Sequence, residues 1–111
     1  MLLDVNNVFI SAVNLNTLPI TYIDDYPLSH VQEIHLAGHD VTSDSEGATL
    51  LIDTHGAPVA DAVWELYCDV ISRTGPLPTL IERDNNVPAL EDLVAEAQRA
   101  DGLMQALRKA A

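Results

Sequence analysis

A short apolar run, ATLLID at residues 48–53, most constrains what this chain can fold into. A run without regular polar alternation is typical of a strand in a sheet that is covered on both faces. Similar short runs at residues 1–5, 31–36 and 77–82 predict three more strands. Residues 40–47 are rich in Ser and Asp and are predicted to form a loop.

Helical patterns lie between and after these runs. One segment carries apolar residues with the spacing i, i+3, i+4, i+7 and i+8, which predicts an amphipathic helix. These residues are Val63, Leu66, Tyr67, Val70 and Ile71. Asp61 is the expected N-cap of this helix, and Gly75 with the proline after it is the expected stop. Residues 89–107 predict a final helix with a break near Gly102.

Strand and helix patterns alternate along the chain, which predicts an α/β fold. Such alternation is typical of parallel strands joined by crossover helices, as in doubly wound sheets and α/β barrels. At 111 residues the chain has the length of one domain. We therefore expect a single domain over residues 1–111.

The charge balance limits the partners of the chain. It has 17 acidic and 5 basic residues, with a net charge of −12. This charge argues against binding to nucleic acid or to an anionic membrane surface, and it favours cations. The lone Cys68 excludes an internal disulfide, and no leader-like segment opens the sequence. We therefore expect a cytoplasmic protein that neither binds nor spans a membrane.

Polar side chains follow each predicted strand where the strand ends. These residues are Asp4, Asn6, Asn7, Glu33, His35, His39, Asp53, His55, Glu82, Arg83 and Asp84. The carboxyl ends of parallel strands share one edge of a sheet, so we expect these side chains to converge there. Carboxylates, imidazoles and an amide together form a typical ligand set for first-row transition metals. The sequence therefore predicts a metal site.

Structural roles compete with metal binding at several of these positions. Asp4 and Asn7 are equally suited to turn and helix-cap chemistry. A single histidine inside an apolar strand, such as His35, is more often a core residue than a ligand, and His39 is well placed for a solvated loop. The i, i+2 spacing of Asp53 and His55 puts both side chains on one face of an extended chain, which favours a joint metal role. Glu82 requires a cation or an ion pair, because a buried lone carboxylate is costly.

Four stretches also carry a family resemblance: LLDVNN, EIHLAGH, LLIDTHGAPV and PTLIERD. They resemble, in the same order, signature stretches of the bacterial multinuclear non-heme iron-dependent oxidative enzymes. The resemblance covers the chain from Leu2 to about Arg99. That family is similar in fold to the xylose isomerase-like TIM (β/α)8 barrels.

The resemblance implies two or three iron ions, which use dioxygen to modify a side chain, often cysteine, of a ribosomally made precursor peptide. A separate recognition protein usually presents that peptide. Carried over residue by residue, the resemblance implies six metal ligands: Asp4, Asn7, His35, Asp53, His55 and Glu82. Asn6, His39 and Arg83 are candidates for contacts with these ligands or with the substrate.

A complete TIM barrel has about 250 residues. The resemblance therefore implies that this chain is the carboxyl-terminal half of a barrel, with four parallel strands alternating with helices. Half a barrel leaves the edges of its outer strands exposed. We expect a homo-oligomer, or a partner that supplies the other half.

The sequence is also compatible with two other functions. The chain is also suited to be a catalytically silent half-barrel that serves as an oligomerisation or interaction domain. Within the enzyme class, a zinc or manganese hydrolase or isomerase of the same barrel superfamily is the other alternative.

Overall fold

The computed structural model describes residues 1–110, with side chains described through Arg108. Five strands and four α-helices are present in this part of the chain. They are, in order, β1 (Leu2–Asp4), α1 (Val5–Asn14), α2 (Pro19–Asp25), β2 (Glu33–Ala37), β3 (Asp40–Ser43), β4 (Thr49–Ile52), α3 (Asp61–Thr74), β5 (Thr79–Glu82) and α4 (Leu90–Ala110). A single 3-10 turn at Leu28–His30 leads into β2. The expected α/β class is confirmed.

Three of the strands form a parallel sheet in the order β1-β2-β5. In its register Asp4 pairs with His35, and His35 pairs with Leu80. Glu82, the last residue of β5, pairs with Ala37 at the end of β2. The carboxyl ends of all three strands therefore reach the same edge of the sheet.

The prediction of a fourth parallel strand at residues 48–53 is wrong. β4 pairs antiparallel with β3, and the two strands form a separate hairpin beyond the end of β2. The predicted loop at residues 40–47 therefore contains a strand. Asp44 closes the hairpin turn, where its carboxylate accepts hydrogen bonds from the backbone N–H groups of Glu46 and Ala48. In β4 only Leu51 is buried, so this run is not covered on both faces.

The helices pack against one face of the parallel sheet. Leu3, Ile34 and Leu36 point to this face and are buried. The core between sheet and helices is completed by residues of α1 and α3: Val5, Val8, Val63, Trp64, Tyr67, Val70 and Ile71. Alternate strand residues point to the other face, where Leu2 and Leu80 are 47% and 48% exposed. Within residues 1–110 that face carries no layer of helices.

The helix predictions are confirmed in their main features. α3 lies where the apolar spacing placed it and ends at Gly75, which has a φ of 80°. The expected cap is wrong, because Ala60 is the N-cap and Asp61 is the first helical residue. The expected break near Gly102 is also wrong, since α4 runs through this position. In the described part of the chain, no helix has both the length and the apolar character needed to cross a membrane.

Candidate metal centre

The first cluster of ligand-type side chains lies across the three parallel strands. Asp4, His35 and Glu82 each offer one ligand atom within 4.8 Å of the others. Nδ1 of His35 is 2.9 Å from Oε1 of Glu82. His35 is therefore not a core residue of the covered face. Its side chain lies on the open face, at the edge where the strands end.

A second cluster adjoins the first and shares Glu82 with it. His55, Glu82 and Asp84 also offer ligand atoms within 4.8 Å of one another. Oε2 of Glu82 is 3.8 Å from Nδ1 of His55, whereas its Oε1 faces His35. Glu82 therefore lies between the two clusters, with one oxygen toward each.

Asp84 is a residue of the second cluster that the predicted ligand set did not include. Its Oδ2 accepts a hydrogen bond from Nδ1 of His55 at 2.8 Å. The available signal was its i, i+2 spacing from Glu82, the same spacing that singled out Asp53 and His55. The sequence analysis placed Asp84 at the end of this strand but did not include it among the predicted ligands.

The turn after β4 brings Asp53 and His55 together, although for a different reason from the one expected. β4 ends at Ile52, and His55 has a φ of 51°, in the left-handed region. The i, i+2 argument for an extended chain therefore does not apply. Nε2 of His55 nevertheless lies 2.7 Å from Oδ1 of Asp53.

The position of that imidazole nitrogen is informative. Nε2 of His55 is buried, and among the described residues no group forms a well-oriented hydrogen bond with it. Polar atoms that are buried without a partner are rare and require an explanation. A cation held jointly by Nε2 and the Asp53 carboxylate would satisfy both groups.

Asp4 combines the two roles that its sequence position left open. Its Oδ1 accepts a hydrogen bond from the backbone N–H of Asn7 at 2.9 Å and caps α1. Its carboxylate also belongs to the first cluster. The side chain of Asn7 is exposed, and the hydrogen bond described here uses only its backbone.

Asn6 is a buried residue whose side chain forms a hydrogen bond with Asp53. Its side chain is 0% exposed, and Nδ2 donates hydrogen bonds to Oδ1 of Asp53 at 2.9 Å and to the carbonyl of Gly38 at 3.3 Å. Its Oδ1 accepts from Nδ1 of His39 at 2.9 Å, and the His39 ring stacks on Phe9. His39 is therefore not a solvated loop residue. Burial lowers its pKa, so the neutral ring donates to Asn6.

Arg83 points away from these clusters. Its Nη1 lies 3.9 Å from Oε1 of Glu96 on α4, and its side chain is largely buried there. Adjacent residues of an extended strand point to opposite faces, which separates Arg83 from Glu82. The structure therefore does not bring Arg83 to the other predicted site residues.

The electrostatics of the site reflect its excess of carboxylates. Burial raises the pKa of Asp4, and the neighbouring carboxylates of Asp53 and Glu82 raise it further, against the lowering effect of the hydrogen bond from Asn7. Burial alone lowers the pKa of His55, but the hydrogen bond to Asp84 and the surrounding carboxylates outweigh it, so its pKa is raised. Burial is thus the main cause of the Asp4 shift, whereas Asp84 and the other carboxylates set the direction of the His55 shift.

The residues present fit a transition-metal ion. Imidazole nitrogens and carboxylate oxygens converge from three strand ends and one turn, and one buried nitrogen points at a carboxylate without a hydrogen bond. The donors are of the types that iron, manganese and zinc accept. Fold and site together define an α/β protein with a candidate cation site at the carboxyl edge of its parallel sheet.

Comparison with known proteins identifies the family. Residues 1–105 match the family model described as RiPP precursor modification enzyme MbnB/TglH/ChrH, where RiPP denotes a ribosomally made and modified peptide. The chain belongs to this family, the multinuclear non-heme iron-dependent oxidative enzymes, and the resemblance seen in the sequence is confirmed.

Several curated relatives are more than half identical to the chain. It is 55% identical over 104 residues to a UPF0276 protein of Caulobacter sp. strain K31, with 94% of the chain and 37% of the relative covered. A UPF0276 protein of Caulobacter vibrioides strain NA1000 is 57% identical over 100 residues, with 90% of the chain and 35% of the relative covered. UPF0276 protein RB0508 of Rhizobium meliloti is 53% identical over 104 residues, which cover 94% of the chain and 34% of the relative.

The chain thus spans about a third of the length of the curated relatives that it matches. This share is smaller than the half that we expected from the resemblance. The described residues also supply three parallel strands and a hairpin rather than four parallel strands.

Proposed function

We propose that this chain is the metal-binding part of an iron-dependent oxidative enzyme that modifies a ribosomally made precursor peptide. The observation that carries the proposal is the pair of adjoining histidine–carboxylate clusters that share Glu82. Membership of a family of RiPP precursor modification enzymes supports a peptide as the substrate.

The proposal assigns six side chains to the metals: Asp4, Asn7, His35, Asp53, His55 and Glu82. When bound, iron would supply the redox chemistry by which dioxygen oxidises a peptide side chain, often a cysteine. Glu82 would hold a metal together with Asp4 and His35, because its Oε1 faces the first cluster. Asp4 keeps one oxygen for a metal while the other caps α1.

Supporting residues would hold the ligands in place. The buried Asn6 donates to Asp53 and accepts from His39, so both Asn6 hydrogen-bonding groups are engaged before a metal arrives. Ligands that are pre-oriented by such contacts bind metals more tightly, since less freedom is lost on binding.

The open face of the sheet supports an assembled form of the enzyme. Leu2 and Leu80 are half exposed on the face that carries the clusters, and β1 and β5 are the outer strands of the sheet. We propose that a second copy or a partner chain covers this face and completes a barrel. A recognition protein would present the peptide, and the complex would work in the cytoplasm.

The test is metal analysis of the chain purified without air. Iron at about one equivalent or more supports the proposal, and its loss in Asp53→Ala and His55→Ala supports the ligand assignment. His30→Ala is the matched control, since His30 is exposed on the 3-10 turn. It should retain iron.

Other metal contents would favour other functions. Zinc or manganese without iron would favour a hydrolase or isomerase of the barrel superfamily. A chain that takes up no metal, even with a partner, would favour a silent interaction domain. Iron uptake that persists in both alanine variants would overturn the ligand assignment.

A further inference from the structure

Two short segments, residues 54–56 and residues 84–86, are hydrogen-bonded to each other residue by residue. Each residue of the second segment donates to a carbonyl of the first. The backbone N–H of Asp84 donates to His55 at 2.9 Å, Nδ2 of Asn85 to Thr54 at 2.7 Å, and Nδ2 of Asn86 to Gly56 at 3.2 Å. This ladder fixes the turn that carries His55 against the end of β5.

The contact between the segments is close as well as polar. A Cβ added to Gly56 would lie 2.1 Å from Oδ1 of Asn85, so only glycine fits there without a shift. His55 itself is held at a φ of 51°, a conformation that non-glycine residues adopt at a cost. The backbone of His55 is therefore held on both sides by contacts with residues 84–86.

The two nitrogens of the His55 ring have different surroundings. Nδ1 donates to Oδ2 of Asp84 at 2.8 Å with good geometry. Nε2 faces Oδ1 of Asp53 at 2.7 Å without hydrogen-bond geometry. A neutral imidazole carries one proton, and a carboxylate next to Nδ1 keeps the proton there. The lone pair is then on Nε2, beside Asp53.

We infer that Asp84 is a positioning residue, which holds His55 in the Nδ1–H tautomer so that Nε2 and Asp53 face one cation. The metal-binding part of this inference rests on the proposed function, but the tautomer belongs to the metal-free protein. Asp84 also lies within ligand distance of His55 and Glu82. The oriented hydrogen bond from Nδ1 favours the positioning role over direct coordination.

The first test is the tautomer of His55, read from 15N chemical shifts and two-bond couplings in the metal-free protein at a pH well above the His55 pKa. The wild type should show Nδ1–H. Asp84→Ala should shift His55 toward the Nε2–H form that free histidine prefers. Asp84→Asn should keep Nδ1–H, because the amide carbonyl still accepts the bond. Asp92→Ala, which removes an exposed carboxylate in the first turn of α4, is the control and should match the wild type.

The second test is the affinity for Fe²⁺, titrated without air. Asp84→Ala should weaken it by about 10–100-fold, as is usual for the partner of a metal-bound histidine, and Asp84→Asn should weaken it less. An Nε2–H tautomer of His55 in the wild type would overturn the inference. Equal losses of Fe²⁺ affinity in Asp84→Ala and Asp84→Asn, with an unchanged His55 tautomer, would also overturn it. A wild type that shows Nδ1–H but takes up no iron contradicts the proposed function and leaves the Asp84–His55 assignment supported.

Discussion

The two faces of the parallel sheet differ in what they contact and in what they carry. On the covered face, Leu3, Ile34 and Leu36 are buried against helices. On the open face, Leu2 and Leu80 are half exposed, and the strands end in His35 and Glu82. The covered face accounts for the fold of this chain. The open face carries the candidate metal ligands, and no helix of the described residues covers it.

The largest effect should come from a cavity in the covered face. Leu36→Ala removes a fully buried side chain from the central strand, and we expect a loss of about 2–5 kcal/mol in the free energy of unfolding. Leu80→Ala on the open face should cost about 1 kcal/mol or less. Chemical denaturation of both variants measures the difference. Similar losses would show that the open face is covered in solution.

The next largest effect should come from the close packing at Gly38, after the end of β2. Gly38 follows β2, and a Cβ there would lie 1.9 Å from the carbonyl oxygen of Ala57. Gly38→Ala should therefore cost about 1–3 kcal/mol, because backbone has to move. Gly47, in the hairpin turn, has a φ of 82° and no neighbour near a Cβ among the described residues. Gly47→Ala should cost about 1 kcal/mol, through backbone strain alone. Denaturation curves that rank these two variants in reverse would contradict the packing at Gly38.

A smaller effect on stability, but a large one on iron, should follow from Glu82→Gln. The substitution removes one negative charge from a cluster of carboxylates, so the free energy of unfolding of the metal-free protein should not fall. The affinity for iron should fall more than about tenfold, since the shared carboxylate is lost. Glu65→Gln, on the exposed surface of α3, is the control. Unchanged iron affinity in Glu82→Gln would contradict the assignment of Glu82 as a metal ligand.

The smallest effect is a pH dependence at His55. Its pKa is raised from 6.5, because hydrogen bonding to Asp84 and nearby carboxylates outweigh the opposing effect of burial. Its contribution to stability is therefore fully present below the unfolded-state pKa and is lost as pH rises through the folded-state pKa. At mildly acidic pH, the free energy of unfolding of the metal-free wild type should exceed that of His55→Gln by less than about 1 kcal/mol. At alkaline pH this difference should be smaller. A difference in the free energy of unfolding that grows with pH would contradict the raised pKa of His55.

Sequence periodicity predicted the covered face well. The spacing of Val63, Tyr67 and Val70 placed α3 correctly, because one helical stripe has to pack on the sheet. The sequence pattern gave the wrong strand pairing for residues 48–53, because a short apolar run does not indicate its partner strand. The exposed β3, which contains Val41 and Thr42, supplies that partner.

The sequence predicted which side chains form the candidate site better than it predicted how they are arranged. Strand ends correctly brought Asp4, His35 and Glu82 together, because parallel strands share an edge. The left-handed turn at His55 and the role of Asp84 depend on contacts between segments 29 residues apart. Local sequence patterns do not predict contacts between segments so far apart in the chain. The inward position of the buried Asn6 depends on the packing of α1 in the same way.

The most direct test of the central claim is X-ray absorption at the iron edge of the chain loaded with Fe²⁺ without air. If the strand ends and the turn form a metal site, the spectrum will show nitrogen and oxygen ligands with imidazole scattering. That scattering will decrease in His35→Ala and in His55→Ala. A spectrum without imidazole, or one that both variants leave unchanged, would contradict the account.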